Sequence, residues 1–167
     1  MNGNEKLYRS FGEFWDRHPE LGKAAALTNN VLTGLIYLVY PAMLLVLFVR
    51  GDQRLLRCIL VPGISFVILS AVRRRLGWKR PYEVYGGKPL IEKESKGDSF
   101  PSRHVFSVFM IGMTGFYLFP PSGAVIFLIG VIMAVIRVTG GVHFIRDVLA
   151  GAAAGIVCGL IGFWLFG

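Results

Sequence analysis

His143 and Asp147 stand four residues apart, and Arg137 precedes the histidine by six. A helix that starts near Gly141 or Val142 would put both side chains on one face, one turn apart. A carboxylate bonded to one imidazole nitrogen fixes the tautomer and leaves the other nitrogen free as nucleophile or base. Arg137 would then reach an anion held over His143. Taken alone, the cluster is equally a histidine at a helix end with an ordinary ion pair. A second cluster reads Pro101-Ser102-Arg103-His104. It has the form of a helix start, with Asp98 or Ser99 as cap and Pro101 in the first turn. Such an end offers free N–H groups to an anion, and here also a hydroxyl, a cation and a titratable imidazole. The third cluster is Arg73 with Arg80-Pro81, two guanidinium forks across a short turn. By itself it also fits an anchor for lipid head groups.

Together the clusters supply two histidines, an aspartate, a serine and four arginines. That set serves phosphoryl transfer without a metal: cations for the phosphate, a nucleophile with its orienting carboxylate, and an acid for the leaving group. Asp147 is the single acidic residue beyond position 98, so no carboxylate cluster is available for Mg²⁺. No glycine-rich nucleotide loop is present. No metal and no organic cofactor is therefore expected.

The surrounding chain must place these groups at a membrane. Apolar residues make up 54% and charged residues 17%, against about 25% charged in a soluble domain. That excludes an ordinary soluble globule. With 13 Phe, 6 Tyr and 3 Trp it is no disordered chain, and two cysteines make neither a disulfide framework nor a cysteine zinc site. A spanning helix needs about 20 mostly apolar residues. Uncharged stretches and their breaks predict five spans, near 25–49, 55–73, 103–118, 122–138 and 146–166. Asn29 and Asn30 fall near the first end of the first span, Pro41 is placed to kink it, and residues 119–123 split the third from the fourth. Residues 1–23 carry Leu7, Phe11, Phe14 and Trp15 at helical spacing among charges, which suits an uncleaved helix lying in the interface. The expected fold is an all-α, polytopic membrane helix bundle. It forms one domain over 1–167, with the interfacial helix at 1–23 and the transmembrane core at 24–167. Gly151, Gly155 and Gly159 recur every four residues and read as a smooth packing face rather than a catalytic feature.

Five spans put the 73–103 and 138–146 connections on one side and Arg50–Arg57 on the other. The 73–103 connection holds basic Arg73, Arg74, Arg75, Lys79, Arg80, Lys88, Lys93, Lys96 and Arg103 with acidic Glu83, Glu92, Glu94 and Asp98. By the positive-inside rule these cations favour a cytoplasmic loop, while Arg50, Arg54 and Arg57 favour the opposite side as cytoplasmic. The net charge of +8 lies mainly in these short segments. The expected surroundings are the bilayer and its anionic lipids, not nucleic acid. The sequence sets no oligomeric state.

The motifs resemble those of the type 2 phosphatidic acid phosphatase (PAP2) superfamily. That family carries Lys-x6-Arg-Pro, Pro-Ser-Gly-His and Ser-Arg-x5-His-x3-Asp. Here they read Arg73-x6-Arg80-Pro81, Pro101-Ser102-Arg103-His104 and Ile136-Arg137-x5-His143-x3-Asp147. Three positions depart: Arg73 for Lys, Arg103 for Gly and Ile136 for Ser. The resemblance covers about 55–166. It implies that His143 attacks phosphorus, that Asp147 orients it, and that His104 protonates the leaving oxygen and then activates water. It further implies that Arg73, Arg80, Ser102, Arg137 and the backbone near Arg103 hold the phosphate. The implied activity is hydrolysis of a lipid phosphomonoester or pyrophosphate, of the phosphatidic acid, phosphatidylglycerol phosphate or undecaprenyl pyrophosphate type, on the extracytoplasmic face. A lipid phosphotransferase using the same groups and a non-catalytic lipid-binding membrane protein are the alternatives. The family's usual six spans leave one without a counterpart here.

Overall fold

The computed structural model describes residues 3–91 and 97–165. The loop charges Glu92, Lys93, Glu94 and Lys96 lie outside the described residues. All regular structure among the described residues is helical: α1 Gly3–Arg17, α2 Pro19–Val49, α3 Leu55–Leu76, α4 Pro81–Tyr85, α5 Arg103–Leu118, α6 Pro120–Thr139 and α7 Ile145–Leu160. A wider π turn, Ile161–Leu165, continues α7.

Four helical segments are long and apolar enough to cross a membrane: those carrying α2, α3, α6 and α7. They wear their apolar residues outward. Leu38 is 73% exposed and Val49 76%, a surface that only hydrocarbon covers at low cost. The fifth expected span, α5, has 16 residues, fewer than the roughly 20 of a typical lipid-facing span, yet its N-cap Ser102 lies at one end of the bundle and Tyr117 at the other. It forms the axis of the bundle. Val105, Phe106, Val108–Gly115 and their neighbours are buried along it, with α6 and α7 packed closely against it.

Glycine makes that packing possible. A Cβ on Gly151 would lie 2.5 Å from the Ser102 carbonyl oxygen, and one on Gly155 2.8 Å from that of Phe106. One on Gly159 would lie 2.5 Å from the Met113 Cβ. The four-residue stripe on α7 is a seat for α5, as the spacing suggests. Gly130 gives α6 the same approach to Phe109.

Several boundaries differ from the sequence expectation. The first helix breaks at His18, and α2 begins at Pro19 rather than 24, because proline suits a first helical turn. Asn29 consequently sits inside α2, 2% exposed, and not at its end. The helix runs on through Pro41. α3 continues past 73 to Leu76, where Gly77 (φ +56°) ends it and donates its N–H to the Arg73 carbonyl. Arg73–Arg75 thus lie in the last turn, where the helix dipole favours cations.

The antiparallel order gives the bundle two ends. At one, Arg54 lies over the Tyr117 ring at 5.9 Å and Tyr117 stacks on Phe163, gathering the α2–α3 turn and the far ends of α5 and α7. At the other, the Leu90 N–H donates to the Gly140 carbonyl (2.9 Å) and the Ser102 N–H to the Asp147 carbonyl (2.9 Å). This second end collects all three motif clusters.

Candidate active site

His143 does not belong to a helix. α7 starts at Ile145, with Phe144 at its N-cap and Asp147 at its third position. The expected helix start near Gly141 or Val142 is therefore corrected. Gly141 takes φ +71°, a left-handed conformation that breaks helical continuity, and the Val142 and His143 N–H groups both fold back to the Arg137 carbonyl at 3.0 and 3.1 Å. Histidine and aspartate still meet, because the Asp147 carboxylate reaches backward to accept the Phe144 N–H at 3.0 Å. Both side chains are fully buried.

Their link runs through a third residue. His143 Nδ1 is 3.6 Å from Asp147 Oδ2, beyond a good hydrogen bond. Ser99 Oγ lies between, donating a short hydrogen bond to Asp147 Oδ2 and standing 3.4 Å from His143 Nδ1. The imidazole with its proton on Nδ1 faces a hydroxyl that faces the carboxylate. Ser99 does not cap α5; Ser102 stands at that N-cap, without a side-chain cap bond, and Asp98 has φ +51°. The sequence reading missed the relay. The sequence offered Ser99 only as a helix cap; its burial to 0% exposure, where a loop serine is normally wet, emerges from the fold.

His143 Nε2, the opposite nitrogen, is buried and has no hydrogen-bond partner. Burial is the largest influence on this imidazole and pushes its pKa below the ordinary 6.5. The nearby Asp147 carboxylate pulls the other way, and the Arg80 and Arg137 charges add to the lowering. His143 is thus a neutral imidazole with an available lone pair at neutral pH.

The arginines divide by what they touch. Arg80 is fully buried and donates to the carbonyls of Gly97 (3.0 Å), Val142 (3.2 Å) and Asp98 (3.4 Å), tying the 97–98 and 142 backbones together. Its own N–H is taken by Glu83 at 2.8 Å. Arg73, 7% exposed, donates to the Pro101 carbonyl at 3.2 Å. Arg137, 2% exposed, has Nε and Nη1 without partners. Arg73 lies close enough to Arg80 and to Arg103 to be repelled by each, and Arg137 feels Arg80 and Arg73. A buried cation without a partner is unfavourable unless an anion joins it. Ser102 Oγ, also buried and unpartnered, completes the set.

Arg103 and His104 face a cavity of about 120 Å³ shared with Thr33, Tyr37, Phe66 and Ser107. Arg103 is exposed, with its guanidinium 5.5 Å from the centre of the Phe66 ring. The cavity walls come from α2, α3, α5 and α6, so the motif histidine on α5 meets an opening that faces sideways in the bundle.

The fold and this constellation define a multi-pass helical membrane protein with a histidine–carboxylate unit set among unneutralised arginines. The sequence model of the PAP2 superfamily matches residues 54–167, which include every residue of the three clusters. The chain belongs to that superfamily. It is similar to the bacitracin transport permease protein BcrC of Bacillus licheniformis, with 28% identity over 87% of this chain and 75% of that one. Its fold matches the crystal structure of Aquifex aeolicus LpxE (TM-score 0.73, 26% identity, 97% of this chain and 95% of that one). It also matches a transmembrane PAP2-type phosphatidylglycerolphosphate phosphatase from Bacillus subtilis (TM-score 0.71, 22% identity, 95% and 82%).

Proposed function

We propose that the protein is a lipid phosphatase that hydrolyses a phosphomonoester or pyrophosphate of a membrane lipid through a phosphohistidine. The observation that carries this reading is the buried, unpartnered His143 Nε2, close enough to feel the charge of Arg137, whose Nε and Nη1 are also unpartnered. The Nε2 lone pair attacks phosphorus, a nitrogen–phosphorus bond forms and the bond to the lipid oxygen breaks. His104 gives that oxygen its proton. His104 then takes a proton from water, the resulting hydroxide displaces His143, and inorganic phosphate leaves. Arg73, Arg80, Arg103 and Arg137 stabilise the charge on the phosphoryl oxygens, with Ser102 Oγ donating to one of them. Ser99 and Asp147 hold the Nδ1 proton and stabilise the imidazole as it gains charge. No step requires a metal. We place the site on the extracytoplasmic face, following the bacterial members that the motifs resemble.

Phosphate release from purified protein in detergent tests the reading. The panel is phosphatidic acid, phosphatidylglycerol phosphate and undecaprenyl pyrophosphate, each with and without excess EDTA. Release from at least one lipid that survives EDTA is expected. Activity that vanishes with chelator and returns with Mg²⁺ would sink the metal-free assignment. Transfer of phosphate to a second lipid in place of water would identify a phosphotransferase.

A further inference from the structure

α1 lies outside residues 54–167 matched by the family, yet it touches the backbone that carries His143. The Tyr8 hydroxyl accepts the Ile145 N–H at 3.0 Å and donates to the His143 carbonyl at 3.3 Å. One hydroxyl therefore bridges two peptide groups on either side of Phe144. The Ile145 N–H belongs to the first residue of α7 and has no partner within its own helix. Tyr8 is 8% exposed, its ring edge-on to Phe144 at 5.3 Å and stacked on Tyr85 at 6.1 Å. Two helical turns further on, Trp15 Nε1 donates to the Thr139 carbonyl at 2.9 Å, at the last residue of α6. α1 thus grips both ends of the 139–145 loop, which contains the Gly140-Gly141 pair, with Gly141 at φ +71°.

We propose that α1 is a strap that fixes the His143 loop, with Tyr8 as a positioning residue acting through the His143 and Ile145 peptides and Trp15 as its second anchor. The consequence for rate rests on the phosphatase reading; the strap itself does not. A displacement of about 1 Å at a reacting group can lower a rate as much as about 100-fold, so a loop held at two points matters to the chemistry.

The test is Tyr8→Phe, which keeps the ring packing and removes the hydroxyl. Expected are a kcat about tenfold lower, a KM within about twofold of wild type, and an acid limb of kcat moved to higher pH. That shift follows if water enters around His143 while its facing groups (Ser99, Asp147, Arg80 and Arg137) stay in place. Amide exchange should quicken in a 140–146 peptide and not in the α5 core. Trp15→Phe should give smaller changes of the same sign, and serves if Tyr8→Phe folds poorly. Unchanged exchange in 140–146 would overturn the strap. Faster exchange with wild-type kcat and pH profile would overturn the positioning role. A wild-type protein inactive on every phosphate ester would overturn the phosphatase reading instead, leaving the exchange measurement to decide the strap.

Discussion

At the α2–α3 turn, Arg54 grips Asp52 with two nitrogens, the shorter contact being 2.7 Å, and both residues stand at the surface. The Arg54 bonds hold the Asp52 carboxyl down at about 2. At the other end of the bundle, the one arginine paired with Asp147 is Arg146, whose Nε lies 3.6 Å from Oδ1, while the side chains of Arg73, Arg80, Arg103 and Arg137 pair with no carboxylate among the described residues. Glu83 is occupied by the N–H groups of Arg80 and Gly97, and Asp147 by Ser99 and the Phe144 N–H. Arg80 and Arg73 are turned onto carbonyls, and Arg137 keeps two nitrogens unpartnered. One end neutralises its charges locally. The other leaves positive charge unneutralised in a low-dielectric setting, where an arriving phosphate interacts with it far more strongly than it would in water. The arrangement of partners, rather than the residue inventory, separates a surface turn from a candidate site.

The sharpest way to break this contrast is to remove the nucleophile. His143→Ala should abolish turnover of both a lipid phosphate and p-nitrophenyl phosphate. His104→Ala should abolish lipid turnover and spare part of the first step on the aryl ester, whose leaving group needs no proton. The gap between substrates should approach the about 10²–10⁴-fold of general acid catalysis. Acid-labile, base-stable phosphate should be trapped by rapid quench on His104→Ala and not on His143→Ala. Equal losses on both substrates, with no trapped phosphate, would refute this division.

Arg137→Met should lower kcat/KM by about 10²–10³-fold, the scale of losing a transition-state donor. The same change should raise the thermal midpoint, since it deletes a buried cation without a partner. A lowered midpoint would mean that Arg137 is structurally satisfied and the contrast is false.

Ser99→Ala should reduce kcat about tenfold and destabilise the fold by about 1.5–3 kcal/mol, the range for a hydrogen bond to a charged group. Denaturant melts in detergent measure the second effect. His143 adds a pH signature. Its folded pKa is depressed, so the unfolded chain takes up a proton near 6.5 that the folded chain refuses. Stability should decline as pH falls below about 6.5, and His143→Gln should flatten that decline. A melt independent of pH between 7 and 5 would contradict the buried neutral imidazole.

The smallest effect belongs to the other end. Asp52→Asn should leave lipid turnover unchanged within assay error, because the Asp52–Arg54 pair is exposed and local. A loss comparable with Ser99→Ala would dissolve the distinction between the two ends.

Much of this was legible in the residues, and the failures have physical causes. Uncharged runs marked the long helices, and the motif spacings picked out clusters that the fold gathers at one end of the bundle. That α5 is enclosed by its neighbours was not legible, since an uncharged run does not say whether lipid or protein surrounds it. The His143–Asp147 contact was anticipated, but through a helix face; the actual route depends on Gly141 and on a loop serine 48 residues away in sequence. No periodicity reveals that. Arg80's carbonyl partners were equally hidden, since any residue supplies a carbonyl. In α1 the apolar spacing drew attention to Leu7 and Phe14, both exposed, while Tyr8 is the buried member.

Gly151 has a consequence that reaches past packing. Its missing side chain lets α7 rest on the carbonyl of Ser102, and the Ser102 N–H returns a hydrogen bond to the carbonyl of Asp147, four residues before that glycine. The separation between the second and third motifs is therefore gauged by an absent methyl group, on a lipid-depth helix and with no charge of its own. A single added carbon there would act as a shim, prying the phosphate-facing serine away from the histidine unit by a fraction of an ångström. Substitutions that disable this protein would then be found not only among its arginines and histidines but along a plain apolar helix, at positions where the sequence records nothing but smallness.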